Sequence, residues 1–111
     1  MTLIVPQTDV VSAAARTAAR EVLLLDVRED HEWVAGRAAQ ALHVPLSRLT
    51  ADDVPEDRPV LVVCRVGGRS AQAAAALAGL GRDVTNVAGG MLAWEAAGLP
   101  VVTDAGPGMV V

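Results

Sequence analysis

VLVVCRVGGRSAQAAAAL, residues 60–77, passes from a valine-rich run to an alanine-rich one, with the only cysteine of the chain, Cys64, near the junction. Pro59–Cys64 is a short, continuous apolar run, the pattern of a strand covered on both faces. Ser70–Leu80 places Ala73, Ala76, Leu77 and Leu80 at the i, i+3, i+4, i+7 spacing of a helix, with Gly81 as its stop. Arg65–Arg69 form the loop between them, and Ser70 reads as the N-cap of the helix. A strand, a tight loop and a helix in succession are half of a parallel βαβ unit.

Working outward, short β-branched runs alternate with alanine-rich stretches, which predicts an α/β domain with a mostly parallel sheet. Leu3–Val5 is expected as a first strand stopped by Pro6, and Thr8 or Asp9 as the N-cap of a helix reaching about Arg20. Val22–Val27 reads as a buried strand. Glu29–Ala35 reads as a short helix with acids in its first turn, and Gly36 as a C-cap. Leu42–Val44 is a strand ended by Pro45, and Ser47–Asp57 a short helix or turn. Val84–Val87 is the last strand, and Gly89-Gly90 leads to a helix at Met91–Ala97. No repeat or long linker divides residues 1–111, so one domain is expected, with a core from about 8 to 102 and an apolar, glycine-broken tail at 103–111.

Composition narrows the function classes. The chain has 111 residues, 52 % of them hydrophobic, enough for one modest core. No apolar run approaches the roughly 18 residues of a membrane span. A single cysteine and no evident leader make the cytoplasm the expected compartment. Net charge is −4, every one of the nine basic residues is arginine, and there is no Phe or Tyr. That leaves neither a basic stripe nor a stacking platform for nucleic acid. One Cys and two distant His do not make a metal site.

The loop after Cys64 carries the chemistry. In open α/β sheets ligands bind beyond the carboxyl ends of the strands. Loop amides and a helix N-terminus there favour negative charge, so the Cys64 thiol is expected below the ordinary value of about 8.5. Gly67 and Gly68 allow the positive φ of a tight cradle. Arg65 and Arg69 add two permanent cations suited to an oxyanion.

CRVGGRS (64–70) resembles the active-site loop of the rhodanese-like sulfurtransferases. LLLDVREDHEW (23–33) is similar to the Asp-Val-Arg signature of that family, and NVAGGMLAWEAAGLPV (86–101) to its Gly-Gly-x-x-x-Trp segment. With HVPL (43–46), the likeness extends from about residue 9 to 102. It implies a five-stranded, mostly parallel sheet with helices on both faces. It also implies that Cys64 takes a sulfane sulfur from thiosulfate or a persulfide as its own persulfide, with no cofactor. The acceptor would be a thiophile: cyanide in vitro, or a thiol such as glutathione or thioredoxin. On this reading Arg65, Val66, Gly67, Gly68, Arg69 and Ser70 bind the donor. GRAAQALHV (36–44) departs from the usual family pattern, and altered packing is expected there.

Two other readings stay open on the residues alone. Cysteine phosphatases and arsenate reductases use Cys-x5-Arg, whereas Cys64 to Arg69 is Cys-x4-Arg, a loop one position shorter. A non-catalytic module could instead use the thiol to dock a partner or sense oxidants. Asp26 and Arg28 read either as a brace for the loop or as an ion pair with a nearby helix. Trp94 reads either as a wall of the pocket mouth or as core filling. Trp33 reads as packing over the sheet, and His31 and His43 as structural or solvated.

Overall fold

Val60, Val62 and Cys64 point to one face of their strand and Leu61 and Val63 to the other, and this alternation sets the layers. The computed structural model describes residues 4–111. The elements run β1 (Gln7–Thr8), α1 (Val10–Ala18), β2 (Leu23–Asp26), α2 (Asp30–Ala35), β3 (Leu42–His43), β4 (Val60–Val63), α3 (Gly68–Gly79), β5 (Val84–Val87), α4 (Gly90–Ala96), β6 (Val102–Thr103) and β7 (Gly106–Pro107). Two 3-10 turns, Leu46–Arg48 and Ala51–Asp53, occupy the segment expected as a short helix or turn.

The main sheet has the order β1-β5-β4-β2-β3, and every pairing in it is parallel. On one face Leu24, Leu61, Val63 and Val87 pack against Val10 and Ala13 of α1 and Met91 and Trp94 of α4. On the other face Leu25, Val60, Val62 and Val84 pack against Ala73, Ala74 and Leu77 of α3. Helices therefore cover both faces, as the unbroken apolar run of β4 predicts. β4 is central, so its carboxyl end opens where the chain crosses away on either side.

The chain ends differ from expectation. Leu3 of the expected first strand lies outside the described residues, and Ile4 and Val5 are not in a strand. Pairing begins past Pro6, at Gln7–Thr8, where Pro6 is left to offer only its carbonyl to Asn86 N. Asp9 is the N-cap of α1, its carboxylate accepting from Ser12 N at 2.7 Å. Gly36 follows α2 with φ 168°, extended backbone rather than a left-handed cap. A Cβ on Gly36 would lie 2.5 Å from Met109 O and 2.7 Å from Met109 N. Glycine is required there by close approach of the C-terminal segment. That segment pairs β6 with β7 as an antiparallel hairpin and folds back on the domain.

The departure at residues 36–44 has a packing role. Arg37 bridges to Val102 through both main-chain groups, at 3.0 and 2.8 Å, and pairs with Asp104. Its guanidinium lies 4.9 Å over Trp33, which stacks on His43 at 4.5 Å between ring centroids. Trp33 therefore packs between Arg37 and His43, and His31 is exposed.

Candidate active site

Cys64 follows β4 and keeps its alternation, so its side chain turns toward the start of α3. Its Sγ accepts from Gly67 N at 3.1 Å and from the Ser70 hydroxyl at 3.2 Å. Gly67 has φ 113°, a left-handed conformation that curls the chain back over the sulfur. Gly68 already belongs to α3, so only one of the two loop glycines is in the positive-φ region. Ser70 is likewise not the N-cap. Gly67 takes that place, which puts Ser70 inside the first turn, fully buried, with its hydroxyl aimed at Cys64.

Burial is the largest influence on the thiol and pushes its pKa up. The hydrogen bonds from the Ser70 hydroxyl and from the amides of Ser70, Gly67 and Val66 outweigh it, and the pKa is lowered overall. These donors favour thiolate over thiol, and thiolate is the nucleophilic form. Ser70→Ala is expected to move the pH profile of Cys64 alkylation by iodoacetamide toward higher pH. A profile superimposable on wild type would show that the hydroxyl has no hold on the sulfur.

The far side of the loop is held by α4. Met91 N donates to Cys64 O at 2.8 Å and Leu92 N to Arg65 O at 3.0 Å. Gly90 makes this approach possible: it has φ 58°, and a Cβ there would lie 2.5 Å from the carbonyl oxygens of both Cys64 and Arg65. Asn86, buried on β5, adds a contact from its Nδ2 to Gly67 O at 3.3 Å.

The two loop arginines have different fates. Arg69 donates to both carboxylate oxygens of Glu32 on α2, at 2.6 and 2.8 Å, so its charge is compensated. Arg65 is exposed, and its Nε donates to the main-chain oxygen of Val111 at 2.9 Å. The expected pair of free cations is thus one compensated arginine and one exposed arginine.

Asp26 and Arg28 are both fully buried and paired at 2.8 Å. Arg28 also donates to Gly36 O at 2.8 Å and Glu32 O at 3.3 Å. Bracing of the cysteine loop is therefore indirect: Arg28 fixes the main chain of α2, and Glu32 on α2 grips Arg69. His43 belongs to the same network, its Nε2 donating to Arg28 O at 2.7 Å, which assigns the proton to Nε2. Trp94 is not at the pocket mouth. It is 4 % exposed in the core between α1, α4 and the sheet, and its Nε1 donates to Pro100 O at 2.9 Å. The layer that Trp94 joins is opposite the one that holds Cys64.

Glu32 is the residue that sequence reasoning missed. Its local signal was the Glu-x-x-Glu spacing of a capping box: its Oε1 accepts from Glu29 N at 3.0 Å. The hydrogen bonds from Arg69 are the main cause that pulls its carboxyl from the ordinary 4.5 to about 2. A lowered folded-state pKa means stabilisation that is complete above the unfolded value and lost as pH falls through the folded one. The stability advantage of wild type over Glu32→Gln is therefore expected to shrink between about pH 5 and about pH 2, read from urea unfolding. A difference that stays constant across that window would remove the ion pair as a source of stability.

Comparison with known proteins agrees with this architecture. Residues 9–97 match the family described as the rhodanese-like domain. A protein named sulfurtransferase from Allochromatium vinosum is 41 % identical over 107 residues, covering 92 % of this chain and 99 % of its own. A putative sulfurtransferase of Bacillus subtilis is 38 % identical over 85 residues, covering 70 % of this chain and 78 % of its own. The crystal structure of a rhodanese-related protein from Thermoplasma volcanium superposes with a TM-score of 0.82 at 30 % identity, over 89 % of this chain and 99 % of that one. The chain belongs to the rhodanese-like domain family.

Proposed function

We propose that this protein is a sulfurtransferase that carries sulfane sulfur as a Cys64 persulfide, with thiosulfate as a competent donor. The observation that carries the reading is the hold on Sγ by the Gly67 amide and the Ser70 hydroxyl at the end of the central strand. Membership of the rhodanese-like family and the sulfurtransferase names of two relatives support it.

The Cys64 thiolate uses a lone pair to form an S–S bond with the outer sulfur of thiosulfate. The S–S bond within thiosulfate breaks, and its electron pair leaves on sulfite. Charge is conserved: a thiolate and a dianion become a persulfide anion and a dianion. Sulfite departs as an anion, so the step needs no general acid, and a thiolate already formed needs no base. The requirement is stabilisation of anions, which the amides that lower the thiol pKa supply in a fixed orientation. In the second half-reaction an acceptor nucleophile attacks the outer sulfur and Cys64 leaves as thiolate. Cyanide serves as the test acceptor, and thiols such as glutathione or thioredoxin are the proposed biological class.

Burial of Cys64 favours a slender reacting atom, a single sulfur, over a tetrahedral ester. The loop is also one position shorter than the phosphatase Cys-x5-Arg, and its arginine is already bound by Glu32. The test is intact mass after brief incubation with thiosulfate, followed by cyanide. The expected result is a gain of one sulfur atom, lost to cyanide with release of thiocyanate. No gain on folded protein with a titratable thiol would overturn the thiosulfate reading, and Cys64-dependent hydrolysis of p-nitrophenyl phosphate would replace it.

A further inference from the structure

We propose that Asn86 is a positioning residue for the cysteine loop and that Gln7 sets which end of its amide faces that loop, an inference that rests on the proposed role of Cys64. Asn86 is on β5, in register with Val62 of β4 on one side and with Gln7 of β1 on the other. Its side chain is buried, and Nδ2 donates to Gly67 O at 3.3 Å and to Gln7 Oε1 at 2.9 Å. One amide thus ties the edge strand β1, through β5, to the loop that follows β4.

Gly67 is pinned at both of its polar groups. Its N–H donates to Cys64 Sγ at 3.1 Å, and its carbonyl accepts from Ala71 N at 3.1 Å as well as from Asn86. At φ 113° it is in a region that glycine enters and leaves freely, so the conformation itself supplies no hold. Asn86 supplies one from outside both the loop and α3.

The orientation of the amide follows from its partners. A carbonyl oxygen can only accept, so Gly67 O requires the NH2 end of Asn86, and the second hydrogen of that group is taken by Gln7 Oε1. The other end, Asn86 Oδ1, is buried and meets no donor among the described residues. An unpaired buried oxygen is a local cost that a valine at this strand position would not carry. The contact that only the amide can make is the one to Gly67, whose own N–H holds the reacting sulfur.

The test uses Asn86→Val and Gln7→Met, with the pH profile of Cys64 alkylation by iodoacetamide, sulfur loading from thiosulfate and urea unfolding measured on each. Asn86→Val is expected to move the alkylation profile about 0.5 pH unit higher, because the Gly67 amide then spends less time on the sulfur. Sulfur loading at neutral pH should fall about 3-fold, the factor that such a shift implies, while the high-pH plateau of alkylation matches wild type. The urea midpoint should be equal or higher, since the unpaired oxygen is gone and neither partner is stranded: Gly67 O keeps Ala71 N, and Gln7 is exposed to water. Gln7→Met is expected to shift the profile in the same direction by less. A superimposable profile in Asn86→Val, or a stability that falls together with reactivity, would overturn the positioning role, and an unshifted Gln7→Met would overturn the role of Gln7. If wild type takes no sulfur from thiosulfate, the donor reading fails, while the alkylation profile still decides this inference.

Discussion

Cys64→Ser is expected to abolish sulfur loading, with thiosulfate–cyanide turnover falling by about 10³-fold or more. A serine hydroxyl does not ionise near neutral pH, so the Gly67 and Ser70 donors have no anion to stabilise and the nucleophile is lost. The fold should survive, because oxygen can accept the same two hydrogen bonds in nearly the same volume. The variant should therefore show a cooperative urea transition like that of wild type and no mass gain with thiosulfate. Equal mass gain in both proteins would place the reactive group elsewhere.

The second large effect falls on stability. Asp26→Ala is expected to cost about 3–5 kcal/mol, because it strips the counter-charge from a buried guanidinium. Arg28 is fully buried, and Asp26 accepts from its Nε and Nη2 and from its main-chain amide. The carbonyls of Glu32 and Gly36 remain as partners but carry no net charge. A small domain has only about 5–15 kcal/mol in total, so the loss should be plain in urea unfolding at neutral pH. Asp26→Leu combined with Arg28→Met should recover much of it, because an apolar pair leaves no stranded charge. A single variant within about 1 kcal/mol of wild type would show that Arg28 finds water or another anion when unpaired.

The two effects separate the parts of the site. The Sγ of Cys64 is held by groups within six residues of it, so on the proposed function its substitution is expected to act on chemistry. Asp26 and Arg28 act through α2, whose Glu32 then sets Arg69. Damage there should reach the loop only as the fold loosens.

How much of this could be read before folding is clearest at particular residues. The strand–loop–helix around Cys64 was legible because each part is a local pattern: an apolar run, a glycine pair and a 3.6-residue repeat. The alternation that turns Cys64 toward α3 is equally local. Ser70 was singled out as a cap, yet Gly67 caps α3 and Ser70 sits one turn in, since a boundary depends on φ at single residues that composition does not dictate. The reading of Met91–Ala97 as a helix included Trp94 but could not assign it to a layer, and the layer proved to be the one away from the cysteine. The Glu32 grip on Arg69 joins side chains 37 positions apart, and the contact of Gly36 with Gly108 joins backbones still further apart. Hydrophobic pattern tells each segment which side to bury, and that much is encoded residue by residue along the chain. Which charge meets which, and which glycine yields space to another, follows only once the segments have packed, because those partners become neighbours in three dimensions alone.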